Sequence, residues 1–123
     1  MKLVINKNLS NNNYEVTIDI VDITLEEQEL IKDFGNPSIN IGGTLTEDDG
    51  LGGTITVATL GDQFKTLPLD IPLTRTFTQA QYGLNAQKVA DTYAKVTSDK
   101  IQAAITALKA KSDSFSGTTE VML

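Results

Sequence analysis

Apolar and polar residues alternate cleanly from Tyr14. Tyr14, Val16, Ile18 and Ile20 fall on one parity, and Glu15, Thr17 and Asp19 fall on the other. A period of two with one apolar face predicts a half-buried strand of an antiparallel sheet. Leu3-Val4-Ile5 predicts an earlier strand. Residues 6–13 between them are polar and Asn-rich, a composition suited to turns because Asn tolerates the left-handed backbone. Beyond Val21 the period changes. Thr24-Leu25-Glu26-Glu27 has capping-box spacing, and Leu30, Ile31 and Phe34 make the apolar side of a short helix over residues 24–34. Gly35 and Asn36-Pro37 end it.

Strand periodicity resumes after Pro37. Ile39, Ile41 and Leu45 share a parity, and Gly42-Gly43 among them marks a bulge or a close approach of two backbones. Residues 46–53 form a Gly-rich hairpin tip, followed by Ile55 and Val57 opposed to Thr54 and Thr56. Gly61-Asp62-Gln63 predicts a further turn. Leu67, Leu69, Ile71 and Leu73 then line one face, with Pro68 and Pro72 on the same lateral side. That arrangement predicts an edge strand whose prolines face away from its one neighbour.

Past Phe77 the pattern becomes helical. Thr78 is a candidate N-cap, Gly83 interrupts, and a firm helix is expected over residues 85–111. Tyr82, Ala86, Val89, Tyr93 and Val96 form its apolar line, resumed by Ile101, Ala104, Ile105 and Leu108. Thr97-Ser98-Asp99 is a place where the helix can break, since Ser and Asp are better caps than interior residues. Unbroken, the helix runs about 40 Å, as long as the body of a compact domain of this size. Ala86, Ala90 and Ala94 repeat every fourth residue, and such a row lets a neighbour approach closely. Two readings follow: the helix crosses its own sheet, or part of it packs on a second copy.

Composition narrows the chemistry. The chain has no Cys and no His, so disulfides, thiolate metal sites and Ser-His or Cys-His nucleophile systems are excluded. The net charge of −6 is unevenly placed. Residues 1–80 carry five positive and twelve negative side chains, and residues 81–123 carry five positive and four negative. An acidic half without a basic stripe elsewhere disfavours nucleic acid as a partner. No apolar run approaches the length of a membrane span, and the start of the chain has no signal-peptide pattern. A soluble intracellular or virion-associated protein is the expectation, with no membrane partner.

Three places carry candidate chemistry. Glu47, Asp48 and Asp49, set among Gly43, Gly50, Gly52 and Gly53, offer oxygen ligands for a hard cation such as Ca²⁺, although without EF-hand spacing. The alternative is a solvated hairpin tip. Arg75 is the only arginine and shares parity with Leu73 and Phe77. It suits a buried carboxylate or an anionic group, or else a strand rim. The tail Thr118-Thr119-Glu120-Val121-Met122-Leu123 ends in apolar residues, and can add a strand to a sheet edge or fray.

The expected fold is α+β over residues 1–123: an antiparallel sheet of about five strands, a short helix and a long C-terminal helix packed on it. Residues 1–77 supply mainly strands, 78–111 the long helix and 112–123 a flexible, apolar-ended tail. The expected core is Val16, Ile18, Ile20, Phe34, Ile41, Ile55, Val57, Leu69, Ile71, Val89, Tyr93 and Val96. The expected function is non-enzymatic. It is that of a homo-oligomeric structural or assembly protein, of the kind found in phage or virion particles, joined through Ala86, Ala90 and Ala94 or by strand addition. The alternative is a binding module whose acidic Gly-rich loop takes a divalent cation or a partner protein.

Overall fold

The computed structural model describes all residues, Met1–Leu123. The chain is an α+β fold in which antiparallel strands and a short helix gather on one long C-terminal helix. Strand β1 (Lys2–Ser10) turns into β2 (Asn13–Val21) through Asn11-Asn12. Both asparagines have positive φ, 49° and 62°, as a two-residue type I′ hairpin needs. This tight turn fixes the register from Lys2↔Val21 to Ser10↔Asn13. Residues 6–10, expected as part of a turn, are therefore strand. Strand β7 (Leu73–Thr78) pairs on the other side of β2, giving a three-stranded sheet in the order β1-β2-β7.

Between β2 and the next strands lies α1 (Leu25–Phe34), started by the capping box read from the sequence. The Thr24 hydroxyl accepts from the Glu27 N–H at 3.1 Å, and Glu27 Oε1 accepts from the Thr24 N–H at 3.0 Å.

The middle of the chain is one long hairpin broken by two shifts of register. Strands β3 (Ser38–Asn40) and β4 (Gly43–Asp48) pair with β6 (Phe64–Thr66) and β5 (Thr54–Leu60) respectively. The first shift falls at Gly42 and Gly61-Asp62, so Gly61-Asp62-Gln63 is a kink in a continuing arm and not a turn between hairpins. In the second, Leu45 faces Ala58 while Thr46 faces Thr56, leaving Val57 as the extra residue of a bulge. The ladder is thus divided into small sheets instead of the single sheet of about five strands expected. The kinks let the hairpin bend around the long helix, which touches β3, β4 and β5 as well as β2 and β7.

That helix, α3 (Ala86–Phe115), follows a short turn of helix, α2 (Gln79–Tyr82), and a 3₁₀ turn at Gly83–Asn85. At 30 residues it is about 45 Å long. It does not break at Thr97-Ser98-Asp99. Thr97 is buried in the packed face, and the Ser98 hydroxyl donates to the Ala94 carbonyl at 2.6 Å, satisfying itself within the helix. The last turn runs four residues beyond expectation, with Ser114 and Ser116 hydroxyls donating to carbonyls of Lys111 and Ser112.

The core joins Val16, Ile18 and Ile20 of β2 to Val89, Ala90, Tyr93, Ala94 and Ile101 of α3. Ile39, Ile41, Leu45, Leu60, Leu67, Leu73 and Phe77 complete it. Phe77 meets Tyr93 at 5.3 Å between ring centroids in a tilted pair. Three residues expected in the core are exposed: Phe34 at the end of α1, Ile55 on the far half of the hairpin beyond the bulge, and Ile71. Ile71 is out because residues 67–72 do not form the expected edge strand. They make no ladder, anchor through Leu67 and Leu73 at either end, and contain a cis Leu67-Pro68 bond.

Candidate functional site

The acidic loop folds in on itself. Asp48 Oδ1 accepts from the Gly50 N–H at 2.8 Å, and Asp49 Oδ1 accepts from the N–H groups of Leu51 and Gly53 at 2.7 and 3.0 Å. These donors hold the Asp49 carboxyl below the ordinary aspartate range. Glu47 turns the other way, toward α3, where its Oε1 meets Lys88 Nζ at 2.6 Å. The three carboxylates therefore do not converge, and the chain holds no group of three acids placed to ligate a metal. In this geometry Asp48 and Asp49, expected as Ca²⁺ ligands with Glu47, serve the turn, and Glu47 serves an ion pair with Lys88.

The alanine row is placed inside. Ala86, Ala90 and Ala94 are 0%, 3% and 2% exposed, and Ala90 and Ala94 belong to the central cluster. Their small size lets the strands lie close along α3, so they have no surface left for a second copy. The row expected at an oligomer interface is thus buried within its own chain. Ala103, Ala107 and Ala110, further along, face solvent.

Arg75 sits on the inner side of β7, as its parity indicates, with its guanidinium carbon 5.9 Å from the Phe77 ring centroid and 5.8 Å from that of Tyr93. Its Nη1 atom is buried and has no hydrogen-bond partner. No carboxylate lies within ion-pair distance of it. The side chain lines a cavity of about 770 Å³ whose outer wall is residues 69–74. Tyr93, in the same cavity, has its hydroxyl pushed up in pKa by burial, against the opposing pull of Arg75 and Thr97.

Strand β1 is the most open element of the fold. It pairs with β2 on one side and with nothing on the other. Only Leu3 of its nine residues is even partly buried, and Val4, Ile5 and Leu9 are 38%, 39% and 60% exposed. Its link to the helix is the surface pair of Lys7 with Asp91 at 2.9 Å. The tail, residues 116–123, is likewise exposed, with Val121, Met122 and Leu123 bare. Sequence reasoning assigned the second half of β1 to a turn, and so missed Leu9. The legible signal was Asn11-Asn12 flanked by Leu9 and Tyr14, a two-residue hairpin.

No family model, curated protein or solved structure matches this chain. No helix is long and apolar enough to cross a membrane.

Proposed function

We propose that the protein is a non-catalytic assembly module in which the tail of one copy adds a strand to the open β1 edge of another. The nine-residue unpaired edge is the observation that carries this reading. An exposed row of main-chain donors and acceptors is a template for another strand, and natural folds blunt such edges unless they are used. Here the edge is long, carries no proline and exposes apolar side chains. Thr118-Thr119-Glu120-Val121-Met122-Leu123 suits it in β-propensity and in charge, since β1 carries Lys2 and Lys7 and no acid, while the tail carries Glu120 and no base.

Geometry favours exchange between copies. Met1, at the start of β1, and Ile105 of α3 line one small cavity, so the N-terminal end of β1 lies alongside Ile105. From Phe115 the chain must travel back about 15 Å to reach that level, while eight extended residues span about 27 Å. In cis only the first third or so of β1 is within reach, and the approach runs parallel to β1 in an otherwise antiparallel sheet. A second copy has neither restriction.

Light scattering coupled to size exclusion tests the proposal on three proteins: the full chain, the chain ending at Ser116, and Ile5→Lys. The full chain is expected to elute as a multiple of 13.3 kDa, and both variants as monomers. A truncated chain that keeps the full chain's oligomeric state would overturn it.

A further inference from the structure

We propose that the cavity beside Arg75 is a binding site for a monoanionic carboxylate carried on an apolar body. The cavity measures about 770 Å³, room for a small organic molecule. Three charged side chains line it, Lys65, Arg75 and Asp70, for a net charge of +1 in the acidic part of the chain. Neither cation has a carboxylate within 4 Å, so Asp70 does not neutralise them. The remaining walls include Ile41, Leu69 and Leu73 and the Tyr93 ring.

The unmet group is the guanidinium. Arg75 is half-buried, with one terminal nitrogen shut off from solvent and bonded to nothing and its guanidinium close to the Phe77 and Tyr93 rings. A partly desolvated cation without an anion is costly, and an anion reaching the guanidinium from the cavity would offset that cost. The planar fork of donors matches a carboxylate, which accepts two parallel N–H bonds and supplies the missing charge. Phosphate fits less well. Its second negative charge exceeds the net +1 of the lining, Asp70 opposes it, and it has no hydrocarbon part to cover the apolar wall. The apolar wall formed by Leu69 and Leu73 gives the site its preference for an anion with a hydrocarbon body. The site stands apart from the β1 edge, and neither proposal depends on the other.

Amide-resolved NMR titration of the full chain tests it, with octanoate as the probe and octylammonium and inorganic phosphate as controls. Octanoate is expected to shift resonances of Leu73, Arg75 and Tyr93 saturably, with a dissociation constant on the order of 1 mM. Arg75→Gln is expected to weaken it about tenfold, the loss of one charge-assisted pair. Lys65→Gln, which removes the second cation of the lining, is expected to weaken it by a smaller factor. Octylammonium and phosphate are expected to leave those resonances unmoved. Equal affinity for octanoate in the wild type and both variants would overturn the proposal. So would binding of octylammonium at the same site, or no saturable shift at all.

Discussion

Gly42 and Gly61 meet backbone to backbone: a Cβ on Gly42 would stand 1.8 Å from the Gly61 carbonyl oxygen. Around this contact Asn40 acts as a clamp. Its Oδ1 accepts from the N–H groups of Gly42 and Gln63, at 2.9 and 3.0 Å, and its Nδ2 donates to Asp62. Lys100 of α3 then reaches the Asn40 carbonyl at 2.8 Å, tying the kinked hairpin to the helix. Gly42→Ala is expected to destabilise by about 2–3 kcal/mol, because the obstacle is main chain that cannot swing aside. Chemical denaturation checks it, with Gly50→Ala as a contrast in which a Cβ meets no neighbour and only the positive φ is strained.

Ala90→Glu separates packing from assembly. Ala90 is buried within its own chain, so a carboxylate there costs on the order of 3–5 kcal/mol and unfolds the monomer. Ala110→Glu, on the exposed part of the same helix, is expected to leave the melting temperature unchanged. Circular dichroism melts of the two proteins suffice. Equal, small effects would show that the row near Ala90 is not core.

The capping box makes an acid-side prediction. Burial pushes the Glu27 carboxyl up, but the Met1 amino group and the Thr24 backbone and hydroxyl together outweigh it and hold the pKa below the ordinary 4.5. A depressed folded-state value means the stabilisation is present above the unfolded pKa and is lost as pH falls through the folded one. Thr24→Ala is expected to cost about 1 kcal/mol at neutral pH and to flatten the acid limb of stability below pH about 4.5. Denaturant titrations at stepped pH read both.

Tyr93 makes an alkaline-side prediction. Burial raises its pKa above 10.0 in the folded protein, with Arg75 and Thr97 pulling the other way. The stabilisation is whole below the unfolded value and is lost as pH rises through the folded one. Stability is expected to decline above pH about 10, and less so in Tyr93→Phe. Ultraviolet absorbance titration should show a late-ionising tyrosine that is absent from Tyr93→Phe.

Calcium is expected to leave the melting temperature unchanged, since Asp48 and Asp49 turn Oδ1 to backbone N–H groups of their own loop and Glu47 points away to Lys88. Asp49→Ala is expected to lower stability whether or not calcium is added. A calcium-dependent rise abolished by that change would support the cation reading.

The elements governed by local chemistry were legible in the sequence. The Thr24–Glu27 box, the alternation from Val16 to Ile20, the Gly42 approach and the long helix follow from spacing alone. The errors arose where tertiary context decides. Leu67 to Leu73 alternates like a strand, yet no neighbour is placed to pair with it, and it becomes a cavity wall. Periodicity marks Ala90 and Ala94 as a close-approach surface without saying what approaches, and the answer is the protein's own strands. Parity put Arg75 on the inner face correctly, but only the fold shows that no acid meets it there. The open edge of β1 depends on strand order, which no local pattern encodes.

Edge-strand assembly is tested most directly by absolute mass in solution, from light scattering on the full chain across a hundredfold range of concentration on the order of micromolar to sub-millimolar. Strand exchange predicts a multiple of 13.3 kDa that reverts to a monomer when residues 117–123 are removed. A full chain that stays monomeric at every concentration would contradict it.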